Sequence, residues 1–106
     1  MIAQQIERIF RQQLTEAKTT ALEALASREY KKAEVAYRAI FRAFRGLAIQ
    51  KKTTVQEVLE YLSTIPALYH TLAVATLYEL GTTEAPHWLV VRYEMGKTGM
   101  KRSSLV

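Results

Sequence analysis

Between residues 2 and 26, apolar side chains recur at Ile6, Phe10, Leu14, Ala17, Ala21 and Leu25, in steps of four, four, three, four and four. That is the period of one face of an α-helix, and a strand, whose side chains alternate every second residue, cannot gather these positions on one side. A helix here carries an apolar stripe that must be covered. The next segment supplies the cover, because residues 28–49 place Ala33, Ala36, Tyr37, Ile40, Phe44 and Leu47 on one arc of a helical wheel. Ser27 is predicted to N-cap this second helix, and Gln50, Lys51 and Lys52 form a polar link after it. Two long amphipathic helices so close in sequence pack back on each other as a hairpin.

The chain has no Asp and no Asn, which leaves Ser, Thr and Gly to punctuate its second half. Thr54 with Glu57 three residues later is a capping-box signature for a short helix carrying Val55, Val58, Leu59 and Leu62 and ending near Ser63. Thr64 and Pro66 restart the chain, and residues 67–80, apolar nearly all round, read as one helix closed by Gly81 and buried at the centre of a bundle. Thr83, Glu84 and Pro86 start another helix, with Trp88, Val91 and Met95 on one face and Gly96 at its end. Residues 88–93 are also rich in strand-preferring types, so a strand or wing is the alternative there. The fold class expected is all-α: one domain over residues 1–96, a small bundle of four to five helices, followed by a flexible basic tail over 97–106. No internal repeat is visible.

A chain of 106 residues can bury one modest core. Its 49% apolar and 24% charged residues match an ordinary globular domain and argue against disorder throughout. There is no cysteine, so neither a disulfide framework nor a thiolate metal site is available and a cytoplasmic setting is expected. Residues 1–13 mix Gln, Glu and Arg with apolar positions, unlike a signal peptide, and the longest apolar run, near residues 72–75, is far shorter than the roughly twenty residues of a membrane helix.

The net charge is +5, and it is unevenly placed. Residues 28–52 hold eight basic and two acidic groups, whereas residues 53–86 hold no basic and four acidic ones. On a wheel, Arg28, Lys31, Arg38, Arg42 and Arg45 share an arc of about 100 degrees opposite the apolar arc. A charged stripe is most often a solvated helix face, but such faces mix signs to gain pairs four residues apart. This one is nearly all positive, and Glu34 at its edge cannot balance five cations. Arginine's planar fork suits phosphate, so a nucleic-acid backbone, RNA or DNA, is the expected partner. Lys51 and Lys52 in the link and Lys101 and Arg102 in the tail extend the same candidate surface. An acidic protein partner is the alternative, which would make the chain a structural adaptor. The acidic residues Glu57, Glu60, Glu79 and Glu84 could meet the stripe of a neighbouring copy and stack subunits head to tail.

Nothing assembles a catalytic or metal site, and no cofactor or small-molecule substrate is expected. His70 reads as a structural histidine in an apolar helix, and His87 has no companion at metal-binding spacing. Gly96, Lys97 and Thr98 match the end of a phosphate-binding loop, but Val91 stands where that loop requires glycine. Glu57 and Glu60 share a helix face, which on a short helix commonly serves solubility. Tyr61, Tyr69 and Tyr78 fit packing better than base stacking. A winged helix-turn-helix over residues 54–80 has suitable lengths, but its second helix contains no Lys or Arg to enter a major groove.

In its length, its opening hairpin, the run Tyr37, Arg38, Phe41, Arg42, Phe44, Arg45, and the helix ending at Gly81, the chain resembles the small subunit of Cascade-type (type I) CRISPR interference complexes. The resemblance lies in helix number, size and charge. It implies a non-catalytic helical bundle that stacks with other subunits along an effector complex and uses basic faces to hold guide RNA and target or displaced DNA. Carried onto this sequence, the backbone-contact role falls to Arg38, Arg42 and Arg45, and more loosely to Arg28 and Lys31. The tail over residues 97–106 departs from that pattern.

Overall fold

The computed structural model describes residues 2–81. Helix α1 spans Ile2–Ala26 and α2 spans Tyr30–Ile49; α3 is Val55–Leu62, a 3₁₀ helix comes next at Ala67–Ala73, and α4 is Val74–Glu79. The fold is all-α, with no strand among the described residues. The expected helix over 83–96, its strand alternative, the boundary at 96 and the tail lie outside the described residues.

The hairpin of α1 and α2 is the frame. Leu14, Ala17, Ala21 and Ala24 of α1 are buried, and Ile6, Phe10 and Leu25 are half-buried, which is the stripe the spacing predicts. Opposite them, α2 buries Ala33, Ala36, Tyr37, Ile40, Phe41, Ala43, Phe44, Leu47 and Ala48. So many alanines in the seam let two backbones approach closely. At Gly46 the missing side chain makes room for a ring instead, for Phe10 occupies the space a Cβ would take.

The turn between the helices departs from the expectation. Ser27 does not cap α2; its N–H donates to the Glu23 carbonyl as part of the end of α1. Arg28 takes a left-handed backbone, φ 60°. The Arg28 N–H donates to the Leu25 carbonyl and the Glu29 N–H to the Ala24 carbonyl, the crossed pair of a Schellman ending. Helix α2 then begins at Tyr30 with Glu29 in the cap position and no side-chain cap. The same device ends α2: Lys51 has φ 57°, its N–H donates to the Ala48 carbonyl, and the Lys52 N–H donates to the Leu47 carbonyl. Each position normally favours glycine, and each is filled here by a cation lying where the negative end of a helix dipole attracts one.

Residues 53–81 fold back across the hairpin. Thr54, extended at φ −123° and ψ 160°, accepts a hydrogen bond from the Glu57 N–H at its Oγ1, as the capping signature predicts. The Glu57 carboxylate does not complete the box; it is taken by Arg11 and by the Thr53 hydroxyl. The 67–80 segment is the larger correction. It is not one α-helix, since its first seven residues are 3₁₀, and it is not the centre, since Leu68 and Tyr78 are 69% and 62% exposed. Only one side is buried, through Tyr69, His70, Ala73, Thr76 and Leu77. The centre of the molecule is α2, with α1 on one side and residues 53–81 on another. Gly81 closes α4 with φ 70°, its N–H donating to the Tyr78 carbonyl, in agreement with the predicted cap.

Candidate functional site

Helix α2 divides its circumference as the wheel predicts. Its apolar arc is buried, and Lys31, Arg38, Arg42 and Arg45 are exposed on the other side. Spacings of four and three residues stack Arg38, Arg42 and Arg45 on successive turns, over about 10 Å of helix axis at 1.5 Å per residue. These three line one groove of about 320 Å³, whose other side is Leu72 and Ala75 and whose base is formed by Phe41 and Thr76. The groove exists because α4 is anchored to α2 at its base: the buried Thr76 Oγ1 donates to the Phe41 carbonyl at 3.0 Å. Tyr37 and Tyr69 stack further along the same seam, with ring centroids 4.4 Å apart. Burial holds the Tyr37 hydroxyl above its ordinary pKa.

The carboxylates near the groove are few and lie at its ends. Arg38 pairs with Glu34, one turn earlier, at 3.5 Å, and Arg45 pairs with Glu79 of α4 at 3.8 Å. Both pairs are more than a third exposed, the situation in which an ion pair contributes little and exchanges readily for another anion. Arg42, between them, makes no ion pair with a described residue. The groove thus presents a cationic wall facing an apolar one.

The remaining candidates are spread out. Arg28 precedes α2 and is not on its stripe, because the left-handed turn at residue 28 breaks the helical phase on which the wheel placement depends. Lys31 lies two turns from Arg38 along α2. Lys51 and Lys52 are exposed in the turn after α2, where the Lys52 carbonyl accepts a hydrogen bond from Arg11 Nη2 at 2.7 Å. Lys101 and Arg102 lie outside the described residues, as do Glu84 and His87. His70 is buried, with Nε2 at 3.2 Å from the Ile65 carbonyl, the structural placement expected of it. No cluster of three or more metal-ligating side chains occurs among the described residues, and no helix among them is long and apolar enough to cross a membrane.

The acidic segment behaves differently from the head-to-tail expectation. Glu57 is turned inward to Arg11 of its own chain, with Thr53 Oγ1 donating to it at 2.7 Å. Arg11 and the Thr53 hydroxyl hold the Glu57 carboxyl below the usual carboxylate range, and Glu57 in turn raises Arg11. Glu79 is held by Arg45. Of the four acidic residues that could meet a neighbouring copy, Glu57 is therefore engaged within the subunit and Glu79 is weakly paired there. Near Glu57, Lys18 lies with its amine 4.7 Å from the Tyr61 ring centre and 5.5 Å from that of Phe44. Burial lowers Lys18 and raises Tyr61 from their ordinary values.

Sequence reasoning missed the apolar wall of the groove and the Arg11, Lys18, Glu57 group. Both join residues more than thirty positions apart, and no short-range spacing marks them. The helix-turn-helix alternative loses its second element, because a 3₁₀ helix followed by a six-residue α-helix is not the straight recognition helix that a major groove admits. No protein-family model, curated protein or solved structure matches the chain.

Proposed function

We propose that this chain binds the backbone of nucleic acid through the outer face of α2, without sequence preference and without catalysis, as one subunit of a larger cytoplasmic complex. The observation that carries the reading is the convergence of Arg38, Arg42 and Arg45 on one groove, with only exposed, weakly held carboxylates at its ends. Three guanidinium groups over about 10 Å of axis can meet neighbouring phosphates along one strand. The two non-bridging oxygens of a phosphodiester accept from a guanidinium fork as a carboxylate does, and a strand offers a row of them where the groove has one glutamate at each end. The resemblance to the small subunit of CRISPR interference complexes agrees with this reading in size, helical class and basic face. It also suggests other subunits, and further copies of this chain, as partners.

The test is fluorescence anisotropy of labelled oligonucleotides at several salt concentrations. Binding through three phosphate contacts gives a slope of log K against log salt of about −2 to −3 and similar affinities for unrelated sequences. A variant with Arg38, Arg42 and Arg45 all changed to Glu loses that binding while keeping its helical circular dichroism. Absence of binding to any DNA or RNA at low salt refutes the reading and transfers the basic face to an acidic protein partner.

A further inference from the structure

The groove is not equally suited to every part of a nucleic acid. A surface that only tracks phosphates needs cations and nothing else, yet here the wall facing Arg38, Arg42 and Arg45 is made of Leu72 and the exposed Ala75. The wall is open, apolar and held in place by the buried Thr76 to Phe41 hydrogen bond. The volume, about 320 Å³, is at the lower end of that of pockets that hold small ligands. In a duplex the bases are stacked inside, and the backbone it presents is charged and convex, so it would leave this wall uncovered. A single strand can turn a base outward. Its planar face then covers apolar surface, or lies on a guanidinium plane, while its flanking phosphates stay in reach of the arginines.

We infer that the groove between α2 and α4 seats one unpaired base of a single-stranded nucleic acid against Leu72 and Ala75, with Arg42 and its neighbours on the adjoining phosphates. The inference rests on the backbone-binding reading and adds a base-dependent component to it. Arg42 is placed to contact the incoming strand first, since the arginines on either side begin in ion pairs with Glu34 and Glu79. The base contact is shape-driven and carries no hydrogen-bond code, so it leaves the binding tolerant of sequence.

The experiment compares a short oligothymidine with an abasic oligonucleotide of the same length and charge. Each is titrated into the wild-type chain, into Ala75→Leu, which narrows the groove at an exposed position without changing charge, and into Arg42→Gln. For the wild type, the base-bearing strand is expected to bind at least about fivefold tighter than the abasic one. Ala75→Leu brings that ratio close to one, whereas Arg42→Gln weakens both strands and keeps the ratio. Equal affinity of the two strands for the wild type, with Arg42→Gln still weakening both, overturns the base-seating inference and leaves backbone binding standing. If neither strand binds at low salt, both readings fall. A fold control by circular dichroism accompanies each variant.

Discussion

In the α1–α2 hairpin the helices meet along continuous stripes of Ala, Leu, Ile and Phe, with Ala21, Ala24, Ala33, Ile40, Phe44 and Leu47 sealed from solvent. Residues 53–81 bury Val58, Leu62, Tyr69, Ala73, Thr76 and Leu77 among others. They also reach the hairpin through specific polar and aromatic pins: Arg11 to Glu57, Lys18 over Tyr61, Thr76 to the Phe41 carbonyl, and the Tyr37–Tyr69 stack. Stripe packing is non-directional and grows with area. A pin depends on one geometry and is lost with one atom. The hairpin is therefore the part that specifies the fold, and the segment across it is the part that shapes the groove and is easiest to loosen. Regions of low local stability are where binding surfaces are commonly drawn from.

The largest effect asks whether frame and cover come apart. Phe44 is fully buried in α2 and faces Phe41 and Tyr61, with ring centres 6.0 and 5.9 Å away. Phe44→Ala should cost about 3–5 kcal/mol and unfold both regions in one transition, seen as coincident far- and near-ultraviolet circular dichroism in urea. Loss of signal from residues 53–81 alone, with α1 and α2 retaining their amide protection, would show that the cover depends on this ring and the frame does not.

Smaller, and opposite in sign to what helix propensity alone predicts, is Gly46→Ala. Alanine is favoured over glycine inside a helix by about 1 kcal/mol. A Cβ at residue 46 would run into the Phe10 ring, and overpacking costs about 1–3 kcal/mol, so the net expectation is a loss of up to about 2 kcal/mol. A stabilised variant would mean that Phe10 swings outward freely and that the first turns of α1 contribute little to the seam.

Glu57→Gln tests the pins. Because its folded-state pKa is depressed, chiefly by the hydrogen bond from Arg11, ionised Glu57 contributes stability that is fully present above the unfolded carboxylate value of about 4.3. That contribution is lost as pH falls through the lower folded value. The pair is more than a third exposed, so the contribution at neutral pH is about 1 kcal/mol at most. The variant should lie below the wild type at pH 7 and converge with it in acid. Faster hydrogen exchange confined to residues 53–62 would locate the effect in the cover, whereas a uniform increase through α1 and α2 would place the pin in the frame.

Legibility in the sequence divides along the same line. The stripe from Ile6 to Leu25 and the split circumference of α2 are legible because each is a repeat within one helix. Thr54 and Gly81 are legible because caps announce themselves within three residues. The 3₁₀ turn at Ala67–Ala73 is not, since an apolar run does not reveal whether its hydrogen bonds close over three residues or four. The groove is half legible: its arginines are a repeat on α2, while Leu72 and Ala75 arrive from another element through Thr76. Charge counting leaves Glu57 and Glu79 open to a neighbour because it has no way of seeing a partner 46 or 34 residues away in the same chain.

The smallest effect concerns two cations that the charge pattern places on the binding face. Arg28 and Lys51 both hold left-handed backbones at helix ends, with φ 60° and 57°, where a side chain costs about 1–2 kcal/mol that glycine avoids. Glycine gives some of this back through the greater freedom of its unfolded chain, about 0.5–1 kcal/mol, and removes a favourable cation at a helix C-terminus. Arg28→Gly and Lys51→Gly should each therefore raise stability by no more than about 0.5–1 kcal/mol, read as a higher thermal midpoint. Arg28 lies in the turn before α2, off the groove, so Arg28→Gly should leave oligonucleotide affinity within about twofold at moderate salt, a fraction of one phosphate contact. A tenfold loss with stability intact would extend the binding face around the hairpin turn, and the cation would then be retained there for its partner at the expense of the fold.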